Sequence, residues 1–120
     1  MVLATLCLAI ISSGSANVIR EDVCEQTEVI ASWYGAELQG HKMANGEKFD
    51  RRTPVVAHRD LPLGTKVHLT NPTNGKSADG IVKDRGPYVR NRRLDVSEYL
   101  AKRLGFKEAG TATLLVAIKK

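Results

Sequence analysis

Lys66-Val67-His68-Leu69-Thr70, Asn71-Pro72-Thr73-Asn74-Gly75-Lys76-Ser77 and Ala78-Asp79-Gly80-Ile81-Val82-Lys83-Asp84 run consecutively, and they decide the fold class of this chain. In the first segment Val67 and Leu69 fall on one face and polar residues on the other, the two-residue period of a half-buried strand. Asn74-Gly75 is the strongest hairpin signal in the sequence and predicts a type I′ turn with positive φ at the glycine. The third segment is the partner strand, and it leads straight into Arg85-Gly86-Pro87.

The same pattern extends outward on both sides. Val29 to Tyr34 is β-branched and aromatic, is stopped by Gly35, and reads as a first strand. Residues 35–52 are rich in glycine, asparagine and charge, which predicts a long loop. Pro54 to His58 is a short strand, and Leu61-Pro62-Leu63-Gly64 turns the chain. Arg93 to Val96 is another strand. Ser97 then reads as an N-cap, with Glu98 in the first turn and Gly105 at the end of a helix over about 98–104. Leu100, Ala101 and Leu104 form its buried stripe, and Thr111 to Ile118 is a last apolar strand. Six strands and one helix in so short a segment predict a mainly β fold, a small barrel whose closure removes exposed edges.

Length and composition set the outer limits. The chain has 120 residues, 42% of them hydrophobic, which is one domain and not a disordered chain. No apolar run suffices to cross a bilayer twice, so multi-span transporters are excluded. Met1 to Ile11 is uncharged and apolar and leads into Ser12-Ser13-Gly14-Ser15-Ala16, which predicts a signal peptide over 1–16 cleaved after Ala16. A buried amino-terminal helix is the competing reading. Leu6 precedes Cys7 and Val23 precedes Cys24, so no lipid anchor is expected on either cysteine. Residues 17–28 read as an acidic tether and 29–120 as the barrel domain.

Charge is unevenly shared. Of 18 basic and 13 acidic residues, one basic and four acidic precede Val29, leaving 17 against 9 in the domain. So basic a surface suits polyanions or a glycan bearing carboxylates. Nucleic acid is not the expected partner, because recognition helices, zinc-finger spacing and aromatic RNA-binding signatures are absent. The three histidines lack metal-ligand spacing, so neither a metal nor an organic cofactor is expected. The oligomeric state is left open.

Three segments place acid, base or charge beside sharp turns. They are Ala44 to Asp50, with Asn45, Glu47 and Asp50; Ala57-His58 before Leu61-Pro62; and Asp84-Arg85-Gly86-Pro87-Tyr88, continuing to Arg92, Arg93 and Asp95. Singly, each has a plain structural explanation as a turn, a core histidine or a strand-end cap. Together with Trp33-Tyr34-Gly35, Gly64-Thr65, Thr70-Asn71 and Asn74-Gly75, their order and spacing from Ile30 to Ile118 resemble the RlpA (rare lipoprotein A) family.

The resemblance implies a double-psi β-barrel, related to those of expansins, and for bacterial members a lytic transglycosylase of the periplasm or envelope. Such enzymes cut peptidoglycan glycan strands, preferring those stripped of stem peptides. The chain departs from many members in lacking the cysteine context for acylation, and Met43 replaces a small polar residue before the Ala-Asn-Gly-Glu run. Glycosidic cleavage needs a proton donor for the leaving oxygen and stabilisation of an oxocarbenium-like transition state. In a lytic transglycosylase the muramic acid 6-hydroxyl attacks internally, giving a 1,6-anhydro end, so one carboxyl group serves first as acid and then as base. Asp84 is the expected acid/base, Glu47 its charge-stabilising partner and His58 a hydrogen-bonding support. Asp50, Arg85, Tyr88, Asp95 and Asn45 are expected in the cleft wall or behind it. The alternatives are an expansin-like glycan-binding module without bond cleavage, and a glycoside hydrolase using the same carboxylates.

Overall fold

A computed structural model describes residues 26–88 and 91–119. The expected signal peptide and most of the acidic tether lie outside the described residues. Six strands follow in chain order: β1 (Gln26–Tyr34), β2 (Val55–His58), β3 (Lys66–Thr70), β4 (Ser77–Asp84), β5 (Leu94–Ser97) and β6 (Thr111–Ile118), with one helix, α1 (Glu98–Leu104), between the last two. They close into a barrel in the order β1-β5-β2-β4-β3-β6. The β1–β5 and β2–β4 pairs are parallel and the other four are antiparallel. This is a double-psi β-barrel, a closed mixed barrel with a single short α-helix among the described residues.

The two-residue period sorts side chains between the barrel's inside and outside. Val56, Val82, Leu94 and Val96 point inward and pack with Val67, Leu69 and Leu114. Helix α1 adds Leu100, Ala101 and Leu104 to the same core. Burying each of those leucines contributes about 1.5–3 kcal/mol. A second, outer cluster joins Tyr34, Met43, Phe49, Val55 and Ala57. Here the 35–53 loop folds back over the outside of the barrel, and Phe49 lies against the Tyr34 ring at 4.7 Å.

The caps of α1 match the sequence. Ser97 Oγ accepts the Leu100 N–H at 3.4 Å and donates to the Thr53 carbonyl at 2.5 Å. Gly105 ends the helix in the left-handed region at φ 78°. Two features differ from expectation. Strand β1 starts at Gln26 rather than Val29, because Gln26, Thr27 and Glu28 already pair with Ala117, Val116 and Leu115 of β6. The β3–β4 connection is also not a two-residue type I′ turn. Gly75 has the positive φ, 79°, but Asn74 does not, and the loop spans residues 71–76, closed by Asn71 N–H to the Lys76 carbonyl at 2.8 Å. The Asn74 side chain serves the helix instead, its Nδ2 capping the end of α1 at the Leu104 carbonyl, 3.1 Å away.

Candidate active site

The parallel pairing of β2 with β4 carries an irregularity between Val56 and Ala57 that skips Lys83 and sets Ala57 opposite Asp84. On its other side Ala57 faces Asp95 of β5, which in turn faces Ser32 of β1. Ser32, Asp95, Ala57 and Asp84 thus form a transverse row across four neighbouring strands. With strands about 4.8 Å apart, the two aspartate backbones stand about 10 Å from each other. Ala57 stands between them in the row.

Each aspartate is held by one oxygen. Asp84 Oδ1 accepts the Ala44 N–H at 3.0 Å and the Arg85 N–H at 2.9 Å, while its Oδ2 accepts no hydrogen bond among the described residues. Asp95 Oδ1 takes the Ser32 hydroxyl. Beside the row sits Tyr34, only 6% exposed, whose hydroxyl is buried without a partner among the described residues. Burial pushes the Tyr34 phenol well above its usual range, and Asp84 and Asp95 push it the same way, so it stays a neutral donor.

Glu47 comes from the loop rather than the barrel. Its backbone closes a small turn through the Met43 N–H, 2.7 Å from its carbonyl, and the Asn45 side chain accepts its N–H at 2.9 Å. Asn45 N–H reaches the Lys83 carbonyl at 3.2 Å, which docks the loop beside Asp84. The Glu47 carboxylate, 60% exposed, meets Lys83 Nζ at 3.0 Å. Hydrogen bonds from Lys83 and then Asn45 hold it below the ordinary carboxylate range.

His58 ends β2 on the inward-facing side, at the barrel mouth. Its Nδ1 accepts the N–H groups of Asp60 and Leu61 at 2.9 and 3.0 Å, so the neutral ring carries its proton on Nε2. Burial lowers its pKa; Asp60 opposes this, and Arg85, Arg93 and Arg59 reinforce it. It hydrogen-bonds neither Asp84 nor Glu47. Arg85 connects the two places: its Nη1 donates to the carbonyls of His58 and Leu61 at 3.0 and 2.6 Å.

The remaining candidates spread out. Asp50 caps its own turn by accepting the Arg52 N–H at 3.1 Å, and that bond heads the causes that lower its pKa. Tyr88 is 75% exposed, with the Arg59 guanidinium 5.8 Å from its ring centre. Sequence reasoning gave no role to Tyr34, Ser32 or Lys83. The Trp33-Tyr34-Gly35 segment was visible, but nothing in it says that the hydroxyl would lack a partner. Among the described residues no three His, Cys, Asp or Glu side chains gather as a metal would require.

A family model described as lytic transglycolase matches residues 26–116. The chain belongs to that family. It is 42% identical over 101 residues to the endolytic peptidoglycan transglycosylase RlpA of Neisseria meningitidis serogroup A, covering 83% of this chain and 42% of that protein. It is 46% identical over 86 residues to the protein of that name from Pseudomonas aeruginosa, covering 72% of this chain and 25% of the other. The matched region thus spans less than half the length of these curated relatives. Among solved structures, the Streptomyces papain inhibitor shares the fold with a TM-score of 0.65 at 17% identity, over 82% of this chain and 97% of the other. The family membership agrees with the resemblance read from the motifs.

Proposed function

We propose that this chain is an endolytic peptidoglycan lytic transglycosylase of the bacterial envelope, cutting MurNAc–GlcNAc bonds with Asp84 as acid and then base. The observation that carries the reading is the Asp84 carboxylate itself. Two backbone N–H groups fix one oxygen and leave the other to exchange a proton. In this reading Asp84 Oδ2 protonates the glycosidic oxygen as the C1–O4 bond breaks. The muramic acid O6 attacks C1, and its proton passes to the carboxylate, so the acid is regenerated and no water is consumed.

Glu47 suits a different role. Its bonds to Lys83 and Asn45 keep it ionised at neutral pH, which fits stabilisation of positive charge on the sugar rather than proton donation. His58 holds the turn after β2 and offers Nε2–H to the substrate side of the barrel mouth. The substrate is glycan without stem peptides, and the protein reaches it by export through the segment 1–16.

The test is incubation with peptide-free glycan strands followed by mass spectrometry of the ends. Anhydro ends that disappear in Asp84→Asn support the reading. Reducing ends would instead mark a hydrolase, and an unchanged polymer a binding module.

A further inference from the structure

A cavity of about 270 Å³ opens at the barrel mouth, at the same end as Asp84. Val29, Leu61, Val116 and Ile118 supply its apolar lining, and Thr27, His58 and Arg93 supply its polar groups. His58 and Asp84 end neighbouring parallel strands, and Arg85 ties the two ends together through the His58 and Leu61 carbonyls. Asp84 and the cavity thus stand at the same end of the barrel.

The charge around this cavity is one-sided. Arg93, which lines the cavity, and Arg85, which holds the His58 carbonyl, have no carboxylate within ion-pair distance among the described residues. The charges felt by the His58 ring there are Arg85, Arg93 and Arg59 against Asp60 alone. Small apolar walls with a guanidinium at the rim match a ligand group that combines a methyl with a carboxylate.

We infer that this cavity is a carboxylate subsite, read by Arg93, that seats the lactyl ether of a muramic acid whose carboxylate is free. The inference rests on the proposed substrate and deepens it. A stem peptide converts that carboxylate to an amide, which removes the charge that Arg93 attracts and adds bulk the cavity does not hold. Selection for peptide-free glycan then arises at the barrel mouth rather than at the acid/base.

Binding, not cleavage, tests it, so its failure is distinct from failure of the catalytic reading. The probes are the methyl glycoside of N-acetylmuramic acid, the same sugar with its lactyl group as a methyl amide, and methyl N-acetylglucosaminide. NMR titration of the full chain follows the His58 ring resonances. The free acid is expected to bind about tenfold more tightly than the amide or the glucosaminide and to shift the His58 signals. Arg93→Gln is expected to lose about that tenfold for the acid and nothing for the amide. Its backbone N–H bond to the Ile30 carbonyl, 3.1 Å, is spared, and a thermal melt checks the fold. Equal binding of acid and amide by the unaltered protein would overturn the inference. So would an equal loss for both in Arg93→Gln, no detectable binding of the acid, or binding that leaves His58 unmoved.

Discussion

The helix-capped end of the barrel and the cleft face treat buried polar atoms in opposite ways. Under α1, Asn71 Nδ2 donates to the Leu104 carbonyl at 2.9 Å and its Oδ1 accepts the Thr73 N–H at 3.1 Å. Ser97 Oγ serves Thr53, Leu100 and Val55 at once. At the cleft and the mouth beside it, the Tyr34 hydroxyl and Arg92 Nε are buried with no partner. A buried donor left unmade costs about 1–3 kcal/mol. The capped end is arranged for stability, whereas the cleft carries a penalty of the kind that functional sites carry.

The comparison breaks most visibly at Asp84. Asp84→Asn keeps the shape of the side chain but cannot exchange a proton, so release of anhydro ends should fall about 10²–10⁴-fold. Its melting temperature should stay near that of the unaltered protein. Retained turnover in the folded variant would remove Asp84 from the chemistry. At the capped end the effects reverse. Asn71→Ala removes one of the two amide donors on the Leu104 carbonyl and the acceptor of the Thr73 N–H, and should cost about 1–3 kcal/mol in denaturant unfolding, with activity per folded molecule unchanged. Gly105→Ala should cost about 1 kcal/mol or more, since its φ is positive and a Cβ there would sit 2.6 Å from Asn74 Nδ2.

Tyr34→Phe sharpens the contrast at smaller scale. It deletes a hydroxyl that has no partner, so stability should hold or rise by up to about 1 kcal/mol, measured by urea titration. A clear loss of stability would mean that the hydroxyl is satisfied after all. The smallest effect lies away from both regions, at Asp79 between Lys119 Nζ and His68 Nδ1, at 2.8 and 2.7 Å. Hydrogen bonds from Lys119 and then His68 lower the Asp79 pKa. That stabilisation is present above the unfolded carboxylate value and is lost as pH falls through the folded one. The group is half exposed, so solvent limits the effect to about a few tenths of a kcal/mol. Melts of Asp79→Asn between neutral and acid pH should show a correspondingly flatter acid limb.

These contrasts also mark what the sequence made legible. Helix α1 was readable at both ends because Ser97 and Gly105 are local signals, settled by the residues beside them. Strands β2 to β6 followed from alternation to within a residue or so, whereas β1 began earlier because Gln26-Thr27-Glu28 carries no apolar signal and is ordered by β6. Asp84 stood out as an acid at a strand end. Asp95 was expected in the cleft wall or behind it, but its alignment with Asp84 was not legible, because that alignment depends on two different pairings to Ala57 and a skipped residue at Lys83. Asn74-Gly75 signalled a turn correctly but not its length, since the asparagine caps the helix instead.

Ring closure has a further consequence, for assembly. Strand β6 joins β1 to β3, and the transverse row draws on β1, β5, β2 and β4 through parallel pairings that no hairpin can make alone. Contacts between such distant parts of the chain form late and together. A half-folded molecule therefore carries Asp84 at the end of β4 without its Ala57 neighbour, without its Ala44 clamp and without a cleft. For a protein proposed to cut the polymer that holds a cell in shape, this makes cutting power an all-or-none property. Under the proposed activity, a chain whose barrel is not closed has no assembled cleft with which to cut.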